Sequence, residues 1–215
     1  GRKMSKKLQN YPDPVDLVDV YGADSMRYYL LSSSIIKGED LNFSEGGGGE
    51  VMRMNIGRLS NVVSFYTLYK NGVPHHGKFI STHMLDIWIR ARLNELIHDV
   101  TEGMEAYKLD RATRPITDFI DDLSVWYVRR SRDRFKGDDK NDKQQALATI
   151  QFVLVELSKI VAPFMPFIAD TIYREVAEEN RKESVHLEEW PKRGKIDGEV
   201  LKHMAQVRGI VSMAL

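Results

Sequence analysis

The stretch "LDIWIRARLNELIHDVTEGMEAY", residues 85–107, carries Leu85, Ile89, Leu93, Leu96, Val100, Met104 and Tyr107 at steps of three or four. Steps of three and four place side chains on one face of a 3.6-residue helix, so the stretch predicts one long amphipathic helix capped by Thr82 or Ser81. A helix with a single apolar stripe needs partners to cover it.

The flanking sequence supplies them. Upstream, Met52, Ile56, Leu59, Val63 and Tyr66 form a similar stripe from Glu50 that stops at Asn71-Gly72, before a linker with Pro74 and Gly77. Downstream, a helix from about 113 to 136 turns Ile116, Phe119, Ile120, Leu123 and Tyr127 inward, with Pro115 required in its first turn, where a missing N–H costs nothing. The polar loop "KGDDKNDK" precedes a helix carrying Leu147, Ile150, Leu154, Leu157 and Val161. Pro163 and Pro166 break it, and a fifth helix resumes over 167–179. The expected fold class is all-α, an antiparallel helical bundle. Before the bundle come a loop and two short helices, 14–20 and 23–33, hinged at Tyr21-Gly22. "GEDLNFSE" reads as extended, and Gly46 to Gly49 as a flexible tether. "SVHLEEWP" alternates briefly, giving a possible minor strand near 184–190, and 198–215 reads as a last helix. The expected divisions are 1–45, 46–180 and 181–215.

Composition narrows the function classes. With 42% hydrophobic residues the 215-residue chain can bury a core, and with no cysteine it has neither disulfides nor a thiolate zinc site. Its 31 Lys and Arg balance 31 Asp and Glu, so any nucleic-acid surface must be local. No apolar run reaches membrane-spanning length, and the expected setting is cytoplasmic. His75-His76 lacks partners at ligand spacing and His83, His98, His186 and His203 are scattered, so no metal site is expected.

Two segments carry chemistry. Lys3-Met4-Ser5-Lys6-Lys7 clusters ammonium groups around a hydroxyl, the equipment to stabilise a triphosphate, although a frayed basic terminus has the same composition. "DDLSVWYVRRSRDRF", residues 121–135, concentrates Arg129, Arg130, Arg132 and Arg134 near a helix end. Arg130 and Arg134 are four apart, and Trp126 lies four before Arg130. An aromatic beside guanidinium groups can stack on unpaired bases and hold phosphates. The same arginines also suit a helix C-terminus or internal ion pairs with Asp121, Asp122 and Asp133, and Trp126 suits a core.

"KMSKKLQNYPDPVDLVDVYGADSMRYYLL" resembles the signature loop and following helices of class I aminoacyl-tRNA synthetases, and "NYPDP" with "YGAD-x-x-R" is most similar to the isoleucyl branch. Valyl and leucyl relatives usually differ where this chain has Gln9-Asn10-Tyr11. "WYVRRSRDRF" and "APFMPFIADTIYREV" resemble the anticodon-binding bundle of the same family, so the resemblance covers roughly residues 1 to 190. It implies that Lys3, Met4, Ser5 and Lys6 bind ATP, with Lys3, Ser5 and Lys6 catalytic, while Lys7 departs from the usual final serine. It implies that Trp126, Arg129, Arg130, Arg132 and Arg134 bind tRNA. It further implies a monomeric piece of a longer enzyme that joins isoleucine to its tRNA with ATP and Mg through an adenylate. The His-x-Gly-His motif, the nucleotide fold and the editing insertion would lie before Gly1, so the piece alone would be inactive, with no cofactor bound and with ATP and isoleucine engaged only through the missing catalytic domain. The alternatives are the same region of a valyl- or leucyl-tRNA synthetase, or a helical scaffold bundle with no RNA role.

Overall fold

The computed structural model describes residues 7, 11–41, 45–70, 81–178 and 181–214, and among them the secondary structure is helical throughout. The signature loop at Lys3 to Lys6, the predicted stop at Asn71-Gly72 and His75-His76 lie outside the described residues.

Two short helices, α1 (Pro14–Tyr21) and α2 (Ala23–Ser32), meet at Gly22, whose φ of 82° is a conformation glycine adopts without strain. The bundle comprises α3 (Glu45–Val51), α4 (Arg58–Lys70), α5 (Met84–Glu105), α6 (Leu109–Asp121), α7 (Arg129–Lys136), α8 (Lys140–Val161) and α9 (Pro166–Val176). Wider π-helical turns, Met52–Gly57 and Asp122–Val128, join α3 to α4 and α6 to α7. Phe65 of α4 packs edge-on against Phe135 of α7 at 4.9 Å, and Lys70 reaches Glu175 of α9 at 3.0 Å. Hence α4, α6–α7 and α9 end at one pole, while α5 and α8 return to the other. Fully buried Leu59, Leu93, Phe119, Tyr127, Ile150 and Leu157 fill the space between them. This is the antiparallel bundle that the stripes predict.

The segment before the bundle is fastened to its second pole. Met165 offers no side-chain cap to α9, and buried Asp24 of α2 supplies one by accepting from Phe167 N (3.2 Å) and Ile168 N (2.7 Å). Arg27 donates twice to the Pro163 carbonyl, at 2.9 and 3.2 Å. "YGAD-x-x-R" and "APFMPF", far apart in sequence, are thus halves of one joint. Tyr28 Oη donates to the Thr113 carbonyl at 2.5 Å, and Lys37 pairs with Asp110 at 2.8 Å.

Four local expectations need correction. The glycine run is no tether: Gly46 to Gly49 lie inside α3, where a Cβ on Gly47 would overlap the Tyr29 ring and one on Gly48 would stand 2.7 Å from Met26 Sδ. Bare backbone lets α3 press onto α2, which repays the poor helix propensity of glycine. Pro115 stands in the second turn of α6, because the helix begins at Leu109, and tertiary packing carries the missing hydrogen bond. The N-cap of α5 is His83, whose Nδ1 accepts from Leu85 N at 3.2 Å, since Ser81 is engaged with Asp86. Finally, 184–190 forms no strand. Asp170 accepts from both Ser184 Oγ (2.7 Å) and Val185 N (3.0 Å), which leaves a single turn, Val185–Leu187. The chain then runs along α5, held by Trp190 to Thr101 at 2.9 Å and by Gly194 to Asn94 at 3.0 Å, into α10 (Gly198–Met213). No described helix is long and apolar enough to cross a membrane.

Candidate nucleic-acid interface

The π-helical turn and α7 place the arginine-rich segment on the outside of the bundle. Phe135 and Tyr127 point into the core and Ser131 is buried, which leaves Arg129, Arg130 and Arg132 exposed. Among the described residues none of these three forms an ion pair with a carboxylate. Arg130 instead lies over Trp126, its guanidinium carbon 4.8 Å from the ring centroid. Trp126 is half-buried against the core, so it offers part of its surface outward.

Arg134 has a different position. Its guanidinium donates to Asp86 at 2.7 and 2.9 Å and to Asp142 at 2.7 to 3.0 Å, and its side chain is 9% exposed. Asp86 is fully enclosed and also accepts from Tyr127 Oη (2.7 Å) and Ser81 Oγ (2.6 Å). Burial pulls the Arg134 pKa down, but the hydrogen bonds to Asp86 and Asp142 outweigh it and hold the group above the ordinary arginine value. Burial, with the nearby Asp86 charge, keeps the Tyr127 phenol neutral. Arg134 is thus a tie between α5, α7 and α8, one of the internal pairings the sequence left open, though with Asp86 and Asp142 as its carboxylates.

Sequence reasoning missed a participant. Arg208 of α10 brings a second guanidinium to Trp126, at 5.3 Å, and lies 5.8 Å from the Trp88 ring. Buried Asp122 pairs with Arg208 and also accepts from Arg92 Nε at 2.8 Å, while Arg92 pairs with Glu95. Nothing in the local pattern around 208 signals this, because its partners lie more than 80 residues upstream. Between α5, α6 and α10 lies a cleft of about 660 Å³ lined by Trp88, Arg92, Asp118, Asp122, Lys202 and Arg208, among others. The assembly offers three exposed guanidiniums spread over the outer side of α7 that, among the described residues, have no carboxylate partner, an aromatic surface under Arg130, and α10 held there through Arg208 and Asp122. Such a surface can hold phosphates and stack on bases.

Residues 86–214 match the family model of the anticodon-binding domain of tRNA ligase. The chain belongs to this anticodon-binding family. Residues 1–44 match the model of class I tRNA synthetases for I, L, M and V. The anticodon-binding chain is 41% identical to the isoleucine–tRNA ligase of Chlamydia trachomatis serovar A, over 99% of its own length and 21% of that protein. It is 43% identical to the isoleucine–tRNA ligase of Protochlamydia amoebophila, over 89% and 19%. The chain therefore spans about a fifth of the length of these curated relatives. Its fold is that of part of an Agrobacterium radiobacter K84 LeuRS solved in a ternary complex with tRNA and LeuAMS (TM-score 0.64, 21% identity, 94% of this chain and 23% of that one). A Mycobacterium tuberculosis methionyl-tRNA synthetase is similar in fold (TM-score 0.59, 22% identity, 80% and 35%).

Proposed function

We propose that this chain is the tRNA-holding part of an isoleucine–tRNA ligase, with residues 1–45 closing the catalytic domain, 46–180 forming the anticodon-arm bundle and 181–215 beginning an extension. The observation that carries the reading is the exposure of Arg129, Arg130 and Arg132 without a carboxylate partner among the described residues, with Arg130 over Trp126, on a chain of the anticodon-binding family. The three arginines hold backbone phosphates and Trp126 supplies a stacking surface. Arg134 supports them from below by fixing α7 to α5 and α8. Lys3, Ser5 and Lys6, with Met4, are assigned to the ATP phosphates. ATP, with Mg, would activate the isoleucine carboxyl for transfer to the tRNA in the cytoplasm, and the protein acts as a monomer.

The test is a titration of the chain with isoleucine tRNA, an anticodon-swapped version and valine tRNA at several salt concentrations. The reading expects salt-sensitive binding that weakens when the anticodon is swapped. Absence of binding at low salt would contradict it.

A further inference from the structure

The turn between α5 and α6 holds a tyrosine where a glycine would be easiest. Lys108 N donates to Gly103 O at 2.8 Å and Tyr107 N to Met104 O at 3.0 Å. This pair of bonds is the Schellman termination, whose left-handed position usually carries glycine. Tyr107 occupies it at φ 56°, the one non-glycine residue with positive φ among the described residues, and the residue is 90% exposed. Sequence periodicity puts Tyr107 at the end of the core stripe, so the structure overturns that assignment. A left-handed conformation strains a residue with a Cβ, and an exposed ring recovers nothing from the core in return.

Its surroundings are chemically distinctive. Lys108, Arg111 and Arg114 are exposed and, among the described residues, pair with no carboxylate at salt-bridge distance. They line a cleft of about 350 Å³ together with Asp99, Glu102 and Asp118, which are also exposed, and Tyr107 adjoins it in the chain between the lining residues Ala106 and Lys108. Asp118 also lines the larger cleft that leads to Trp88 and Arg208, so the two clefts adjoin. Arg111 and Arg132 stand roughly 30 Å apart along the α6–α7 path, at about 1.5 Å per residue, so this patch is separate from the arginine row.

The geometry points to a binding site for a single unpaired nucleotide of the tRNA, at the pole opposite the arginine row, and it rests on the RNA-binding reading above. Tyr107 stacks on the base. Lys108, Arg111 and Arg114 hold the flanking phosphates. The carboxylates of the cleft accept hydrogen bonds from exocyclic amino groups, which favours amino-bearing bases over uracil. The three cations have no carboxylate at salt-bridge distance among the described residues, so they stay available to phosphates although the patch is balanced in charge.

Three variants of the chain test this against wild type, in titrations with isoleucine tRNA across salt concentrations. Tyr107→Gly relieves the backbone, so its melting temperature is expected to hold or rise while affinity falls about 5-fold or more. Tyr107→Phe is expected to retain wild-type binding, because stacking needs the ring and not the hydroxyl. The triple variant Lys108→Ala, Arg111→Ala, Arg114→Ala is expected to reduce the salt slope by about 2. Nuclease probing is expected to show one unpaired position outside the anticodon deprotected in Tyr107→Gly. Wild-type affinity in Tyr107→Gly and in the Lys108, Arg111 and Arg114 triple variant, alongside weakened binding in an Arg129, Arg130 and Arg132 variant, would overturn the site, assign the patch to a protein contact and leave the RNA reading intact. Failure of the wild-type chain to bind tRNA would overturn both.

Discussion

Arg129, Arg130, Arg132 and Arg134 lie within six consecutive residues, yet carboxylates enclose only Arg134. Removing a guanidinium that neutralises a fully buried Asp86 leaves an uncompensated charge in the core. Arg134→Ala is therefore expected to lower unfolding free energy by about 3–5 kcal/mol. Arg129→Ala, Arg130→Ala and Arg132→Ala should each stay within about 1 kcal/mol of wild type, the upper end reflecting the contact of Arg130 with Trp126. Urea titrations followed by circular dichroism would check both, and a stable Arg134→Ala would show that Asp86 finds another partner. The spacing of four between Trp126, Arg130 and Arg134 is legible in sequence, but the fate of Arg134 is not. Its partner Asp86 comes from 48 residues upstream, and no local pattern encodes that. Tyr107 illustrates the reverse error. It continues an apolar period by one step, but the helix ends at Glu105 and the Schellman turn swings the ring into solvent.

Element boundaries follow from capping groups, several of which come from other elements. α9 is capped by Asp24 of α2, so Asp24→Ala is expected to cost about 1–2 kcal/mol and to loosen the joint between α2 and the α8–α9 turn. Faster amide exchange at Phe167 and Ile168 would register it, and unchanged exchange would show that α9 holds its first turn without the cap. Close helix approach gives a second test. A Cβ on Gly103 would stand 2.9 Å from the Ala112 backbone nitrogen, so Gly103→Ala should force α5 and α6 apart and destabilise by about 1–3 kcal/mol, read as a lower urea midpoint. The long helices were legible because a wide apolar stripe repeats over five or more turns in each. Gly46 to Gly49 were not, because glycine reads as freedom when viewed alone, while here Tyr29 and Met26 occupy the space that side chains would need. Pro115 misplaced a helix start for a related reason: packing of Ala112, Ile116 and Phe119 overrides the local penalty. The short alternation at 184–190 has no strand to pair with among the described residues, and Asp170 takes up the Val185 N–H.

At the scale of the whole molecule, ion pairs fasten the poles of the bundle and set its response to acid. Hydrogen bonds from Arg134 hold Asp142 below its usual carboxylate value, Lys37 does so for Asp110, and Lys70 for Glu175. A carboxyl lowered in the folded state contributes stability that is present above its unfolded value and lost as pH falls through the folded one. The urea midpoint should therefore hold steady near neutrality and fall below about pH 4. Asp142→Asn should lower the plateau and flatten the acid limb, and a midpoint as steep as wild type would show that Asp142 is not part of it. On the proposed reading the fastening by Arg134 matters because it fixes α7, whose Arg130 lies over Trp126 beside α10, which Arg208 holds through Asp122. With a net charge of zero, attraction to RNA on the proposed reading comes from local cationic patches rather than from an overall field. The most direct measurement is the salt dependence of isoleucine tRNA binding by wild type and by the triple variant Arg129→Ala, Arg130→Ala, Arg132→Ala, with helix content checked in each. The account predicts unchanged helicity, weaker binding and a salt slope reduced by about 2 to 3, one increment for each lost phosphate contact. A triple variant that bound with wild-type affinity and slope would contradict it.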